Sequence, residues 1–153
     1  MLKAGDMAPE FELPDSDMNM VRSSDCRGYN HVIYFYPKDD TPGCTIEATD
    51  FSDLMPEFEQ LNTRIIGVSK DNCISHGNFR DKYGLTVRLL ADVDGVLCEA
   101  FGVWQEKEKN GEKKMGIVRS TFIIDTEGRI RHALYDVKPK GHADAVLDLI
   151  REL

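Results

Sequence analysis

Between His31 and Tyr36 the chain runs His-Val-Ile-Tyr-Phe-Tyr, a β-branched and aromatic stretch with almost no polar alternation. A strand covered on one face alternates and a strand covered on both does not, so this run predicts a central strand. From Thr45 to Leu61 the period changes: Ile46, Phe51, Leu54, Met55, Phe58 and Leu61 fall mostly three and four apart, the spacing of a helix with one buried stripe. Pro56 interrupts the stripe. A proline removes one helical hydrogen bond and clashes with the preceding turn, so a kink is expected between Asp53 and Pro56. Arg64 to Val68 is a second short apolar strand, followed by Ser69, Lys70 and Asp71 as candidate caps of a helix that runs to Tyr83 and stops at Gly84. Val87 to Leu90 predicts a third strand. Ala91 to Gly95 then turns into a short helix at Val96 to Phe101.

On either side of this region the pattern is simpler. Residues 1–30 hold short extended pieces, Phe11 to Leu13 and Met20 to Arg22, between turn-forming clusters. Alternating charges from Gln105 to Lys114 around Asn110-Gly111 predict an exposed loop or hairpin tip. Val118 to Asp125 and Arg129 to Leu134 flank Thr126-Glu127-Gly128, the connection of an antiparallel hairpin. A last helix carries Ala145, Val146, Leu149 and Ile150 on its apolar face. A right-handed βαβ unit joined to an antiparallel hairpin and a closing helix is an α/β fold of thioredoxin-like type. The expectation is a single domain over residues 1–153, with a mixed central sheet, helices on both faces and an N-terminal extension.

Composition narrows the function. A net charge of −8 and a pI near 5.0 argue against nucleic acid or an anionic membrane as partner. The first residues lack the apolar run of a signal peptide and no 18-residue apolar stretch occurs, so a cytoplasmic protein is expected. The four cysteines, Cys26, Cys44, Cys73 and Cys98, form no Cys-x-x-Cys pair and match neither a zinc site nor a secreted disulfide framework. Cys73-x-x-His76 lacks a second pair to complete a metal site, and Asp92-x-Asp94-Gly95 lacks the remaining ligands of a calcium loop. His31, His132 and His142 are expected as surface or strand residues, and Trp104 as a packing anchor.

The chemistry gathers at Tyr34-Phe35-Tyr36-Pro37-Lys38-Asp39-Asp40-Thr41-Pro42-Gly43-Cys44, where a buried strand breaks, turns and delivers one cysteine to a helix start. Helix starts carry unpaired N–H groups and partial positive charge, which favour a thiolate. That effect alone is small. A thiol whose pKa falls from about 8.5 to about 6 gains roughly thirtyfold in thiolate at neutral pH but loses on the order of tenfold in intrinsic nucleophilicity. The site must therefore also stabilise charge moving onto a substrate. The N–H groups of Gly43 and Cys44 and the Thr41 hydroxyl are the local donors, while Pro42 has none to give.

Pro37-x-x-x-Thr41-x-x-Cys44, after the Phe35-Tyr36 strand end and before Thr45-x-Glu47, resembles the active-site signature of the peroxiredoxins. Tyr-Phe-Tyr-Pro-Lys-Asp with Thr-Pro-Gly-Cys-Thr is similar to the bacterioferritin comigratory protein, or peroxiredoxin Q, subfamily. The similarity continues through Gly67-Val68-Ser69, Ser75-His76, Phe101-Gly102-Val103-Trp104 and Arg119 to Asp125, nearly the whole chain. It implies a thiol peroxidase that reduces hydrogen peroxide and organic hydroperoxides, recycled by thioredoxin or a related thiol donor, without haem, flavin or other cofactor, and monomeric. By the same resemblance Cys44 is the peroxidatic cysteine, Thr41 hydrogen-bonds thiolate and peroxide, Pro37 shields the pocket, and Arg119 fixes the sulfur and polarises the O–O bond. Glu47 is taken as helix support.

One position departs from the pattern. Many members of the subfamily carry a resolving cysteine five residues after the peroxidatic one, and here that residue is Thr49. Cys73, at the start of the next predicted helix, is the candidate resolving residue, with an external thiol or one of the remaining cysteines as the other routes. Two further readings stand beside the peroxidase: a thiol–disulfide oxidoreductase, and a redox-sensing or chaperone-like binding protein in which oxidation of Cys44 alters a surface without turnover.

Overall fold

In the computed structural model, which describes residues 1–153, the apolar run from His31 to Tyr36 forms most of β3 (Asn30–Phe35), the middle strand of a five-stranded sheet. A small antiparallel pair precedes it, β1 (Glu12–Pro14) and β2 (Met20–Arg22). After β3 come α1 (Pro42–Asp53), α2 (Met55–Gln60), β4 (Thr63–Ser69), α3 (Cys73–Tyr83), β5 (Arg88–Ala91) and α4 (Val96–Ala100). The hairpin β6 (Trp104–Lys109) and β7 (Glu112–Ile117) stands apart, and β8 (Ser120–Ile124), β9 (Ile130–Leu134) and α5 (His142–Arg151) close the chain. The sheet order is β5-β4-β3-β8-β9, with β3, β4 and β5 parallel and β8 and β9 antiparallel. No helix is long and apolar enough to cross a membrane.

Alternation along the continuous apolar strand builds two cores. Val32, Tyr34 and Tyr36 face one side with Cys44, Ala48, Phe51, Phe58, Phe79, Val146 and Ile150, so α1, α2, α3 and α5 cover that face. Ile33 and Phe35 face the other with Val21, Leu97, Phe101, Val103 and Phe122, so α4 and the N-terminal extension cover it. The mixed sheet with elements on both faces is thus as expected.

Local boundaries differ for identifiable reasons. The stripe from Thr45 to Leu61 is two helices that meet at Leu54, and Pro56 lies in the first turn of α2, where its missing N–H costs nothing. The first helix begins at Pro42 for the same reason, which puts Cys44 at its third position. The cap of α3 is Asn72, whose side chain accepts from Ser75 N at 2.8 Å, rather than Ser69, Lys70 or Asp71; Ser69 closes β4 and bonds to Asp71. His142 is not a surface or strand residue. It opens α5, buried, with Nε2 2.7 Å from the Thr121 hydroxyl, and burial pushes its imidazole down to about 4.

Gly67 shows why a central strand admits a glycine. A Cβ there would lie 2.8 Å from Cζ and from the hydroxyl of Tyr34, a fully buried ring on the adjacent strand. Gly67→Ala is expected to destabilise the protein by about 1–3 kcal/mol through overpacking, read by urea denaturation; an unchanged midpoint would show that the ring has room to move.

Candidate active site

Strand β3 ends at Phe35, and the loop Tyr36–Thr41 leads to the start of α1 at the C-terminal edge of the parallel strands. Ligands of open α/β sheets meet the protein at this edge. The N–H groups of Gly43 and Cys44 have no hydrogen-bond partner, because no earlier helical turn supplies carbonyls, whereas Thr45 N already bonds to the Thr41 carbonyl at 2.9 Å. Thr45 and Thr49 each return their hydroxyl to the carbonyl one turn back, at 2.8 Å. Cys44 is 1% exposed, so only a slender reactant reaches its sulfur end-on.

The strongest donor comes from far along the chain. Arg119, in the connection just before β8 rather than inside that strand, directs Nη2 to Cys44 Sγ at 3.3 Å and Nη1 to Glu47 Oε1 at 2.7 Å. Its own backbone is fixed by Val137 N, which donates to the Arg119 carbonyl at 2.9 Å. Cys44 and Glu47 lie three apart on one helix face, so a single planar guanidinium spans both. Gly43 makes room for it: a Cβ there would stand 3.1 Å from Arg119 Nη2. Burial works against the guanidinium charge, but Glu47 and Cys44 outweigh it and hold Arg119 above its ordinary range.

Glu47 is therefore more than helix support. It is fully buried, and burial raises its carboxyl to about 7 against the opposing pull of Arg119. One oxygen is paired and the other, Oε2, has no partner. An isolated charge at that site would be costly, and the ion pair with Arg119 is what keeps a carboxylate tolerable there.

The remaining expected residues fall in distinct places. Pro37 is exposed at the head of the loop. Thr41 is the residue before α1, and its hydroxyl donates to the Lys38 carbonyl at 2.9 Å rather than to the sulfur. Cys73 is the first residue of α3, partly exposed and a free thiol. Cys26 and Cys98 are buried; burial raises both thiols, with Asp25 adding to the first and Asp92 to the second, so neither is a ready nucleophile. Trp104 packs against the second core, with Lys70 Nζ 4.1 Å above its ring. A cavity of about 610 Å³ lies at the opposite edge of the sheet by Tyr29, His31, Arg64 and Arg88 and includes none of the site residues.

One group has metal-like proximity. Ligand atoms of Asp39, Asp71 and His76 lie within 4.8 Å of one another. They are tied to one another and to their neighbours: Asp39 accepts from Tyr36, Ser75 and His76, Asp71 Oδ2 accepts from Ser69 and the Asp39 amide, and the second nitrogen of His76 faces the Leu90 carbonyl. These side chains form one hydrogen-bonded network, with Asp71 Oδ1 outside it and both ring nitrogens of His76 engaged.

Residues 4–133 match the model of the AhpC/TSA family. The chain is a member of that peroxiredoxin family. It is 42% identical to peroxiredoxin Bcp of Escherichia coli over 99% of this chain and 97% of the relative, and 44% identical to peroxiredoxin Bcp of Bacillus subtilis over the same shares. Among solved structures, the bacterioferritin comigratory protein of Xanthomonas campestris superposes with a TM-score of 0.89 at 44% identity, covering 93% of this chain and 90% of that one. A cysteine-to-serine variant of PrxQ from Xylella fastidiosa reaches 0.94 at 39% identity, covering 99% and 97%. The peroxiredoxin fold, the Bcp/PrxQ subfamily and thiol peroxidase activity expected from the signature are thereby established.

Proposed function

We propose that Cys44 is the sulfur that this peroxiredoxin presents to hydrogen peroxide and alkyl hydroperoxides. The observation that carries the assignment is the 3.3 Å contact from Arg119 to Cys44 Sγ, made by a guanidinium already anchored on Glu47. The Xanthomonas relative is described by its alkyl peroxide reduction activity, which supports that substrate class here. The thiolate attacks the near oxygen, the O–O bond breaks, and the departing alkoxide or hydroxide takes up a proton and leaves as alcohol or water. Cys44 is left as a sulfenic acid. Charge passes from sulfur to the leaving oxygen during this step, and Arg119 with the free N–H groups of Gly43 and Cys44 meets it without reorganising. Thr41 exchanges its Lys38 acceptor for the incoming oxygen, and Pro37 covers the approach.

A second thiol then attacks the sulfenic sulfur, forming a disulfide and releasing water. Cys73 at the start of α3 or an external thiol supplies it, and thioredoxin or a similar dithiol returns Cys44 to the thiol. Disulfide geometry needs Cα atoms about 4.4–6.8 Å apart, so pairing with Cys73 goes through unwinding of the first turn of α1. Cytoplasmic location, a monomeric state and independence of haem, flavin and metal complete the proposal.

The test is multiple-turnover peroxide consumption with a thioredoxin system. Cys44→Ser abolishes it if the assignment is correct, and retained turnover overturns it. Mass analysis of the oxidised protein with Cys73→Ser alongside decides the second step: a Cys44–Cys73 link lost together with turnover assigns Cys73, and full turnover with no intramolecular disulfide from Cys44 assigns the external thiol. Oxidation of Cys44 without turnover under any thiol donor would turn the assignment toward a sensor.

A further inference from the structure

Beside the Cys44 group, one buried polar network joins the active-site loop to α3. Asp39 Oδ1 accepts from the Tyr36 hydroxyl at 2.6 Å; Oδ2 accepts from Ser75 Oγ at 2.8 Å and faces His76 Nδ1 at 2.7 Å. His76 is completely buried, and its Nε2 lies 2.9 Å from the Leu90 carbonyl. A carbonyl only accepts, so Nε2 carries a proton. Nδ1 faces a carboxyl oxygen, so a further proton lies on that line, and the two side chains share it as one unit. The Asp39 amide is held as well, donating to Asp71 Oδ2 at 2.8 Å. The next residue, Asp40, takes a left-handed backbone with φ 58° and binds Lys82 and Tyr83 in the last turn of α3. One loop is gripped at both ends of one helix.

Such a network is costly to bury, and apolar packing of the same volume is often as stable or more so. Its position gives it a use. The segment it fastens, Pro37–Thr41, ends where the unpaired N–H groups of Gly43 and Cys44 begin. We propose that Asp39 and His76 are positioning residues of the peroxide reaction: their shared proton clamps the loop to α3 and thereby sets where the Thr41 hydroxyl and the Gly43 and Cys44 N–H groups stand around the sulfur. A displacement of about 1 Å at a reacting centre costs on the order of a hundredfold in rate. The network makes no hydrogen bond to Arg119 or Cys44, so loosening it leaves the Arg119 contact on the sulfur in place and removes the alignment that only a peroxide requires.

This inference rests on Cys44 as the peroxide-reactive sulfur, and its test separates the two. Stopped-flow oxidation of reduced wild type, Asp39→Asn, His76→Gln, the double variant and Ser75→Ala by hydrogen peroxide is compared with alkylation of Cys44 by iodoacetamide. The expected result is a roughly 10- to 100-fold slower peroxide reaction for the Asp39 and His76 variants, with the double variant no worse than the worse single. Ser75→Ala, which deletes one hydroxyl and keeps the core, is expected to be about threefold slower. Alkylation is not slowed in any of them. Folded variants within twofold of wild type toward peroxide overturn the proposal, as does alkylation that falls in step with it. If the Asp39 and His76 variants do not fold, Ser75→Ala decides alone on the same criteria, with a rate equal to wild type overturning. A wild type that peroxide does not oxidise at Cys44 removes the functional assignment instead.

Discussion

Replacing Arg119 by methionine is expected to lower the rate constant for oxidation of Cys44 by hydrogen peroxide by about 10²–10³-fold, the usual cost of deleting one preorganised donor from a charge-stabilising site. Nη2 is the one side-chain donor on Cys44 Sγ, and Nη1 is fixed on Glu47, so the guanidinium cannot swing away as charge migrates from sulfur to oxygen. Arg119→Lys should recover less than tenfold of the loss, because one ammonium cannot reproduce a planar fork that holds Glu47 and sulfur together. Deletion also strands a buried carboxylate. Removing one member of such a pair costs about 3–5 kcal/mol while the other stays charged, so Arg119→Met should be least stable at alkaline pH and should recover as Glu47 takes up a proton. Stopped-flow oxidation and urea denaturation across pH read the two effects. A folded Arg119→Met protein within threefold of wild type toward peroxide would remove Arg119 from the mechanism.

Glu47→Gln should change how stability depends on pH more than stability itself. In the folded protein the Glu47 carboxyl titrates near 7, and its ordinary value is 4.5. Between those values the folded chain holds a proton that the unfolded chain has released, so Glu47 makes the wild type less stable as pH rises through that window. The gap corresponds to about 3 kcal/mol, an order-of-magnitude figure at about 1.4 kcal/mol per pH unit. Glutamine keeps a carbonyl for Arg119 and does not titrate. The variant should therefore gain up to about 3 kcal/mol on the wild type between pH 4 and pH 8, measured as the difference of two urea-derived stability curves. Two parallel curves would mean that Glu47 is ionised throughout and carries no such penalty.

How far the chain could be read without coordinates depended on the range of each interaction. The uninterrupted run from His31 to Tyr36, the helical stripe and the turn signals at Gly84, Gly95 and Gly128 act locally, and they located the strands, the helices and the cysteine at a helix start. Arg119 was legible only through the family resemblance, since nothing in Val118-Arg119-Ser120 announces a partner 75 residues away. Glu47 looked like helix support because a glutamate in an early turn often is; its meaning comes from an arginine 72 residues distant and from complete burial. The same limit hid His76, which meets Asp39 across 37 residues. The Asp39-Asp40 pair followed by Ser75-His76 offered the only hint. Residue type does not separate Asn72 from Ser69 or Asp71 as a cap; the fold does, because Ser69 and Asp71 bond to each other and leave Asn72 to cap α3.

The interruption at Leu54 sets how far a disturbance at the nucleophile can spread. Helix α2 is seated on β4 and α5, with Phe58 in the core, while α1 packs on α5 through the core residues Ala48 and Phe51, carries Cys44 in its first turn, and has the Thr45 and Thr49 hydroxyls competing for its carbonyls. Fraying that starts at Pro42 would meet a natural stop before α2, so the unwinding of α1 that the proposed pairing with Cys73 requires would leave the register of the central strands untouched.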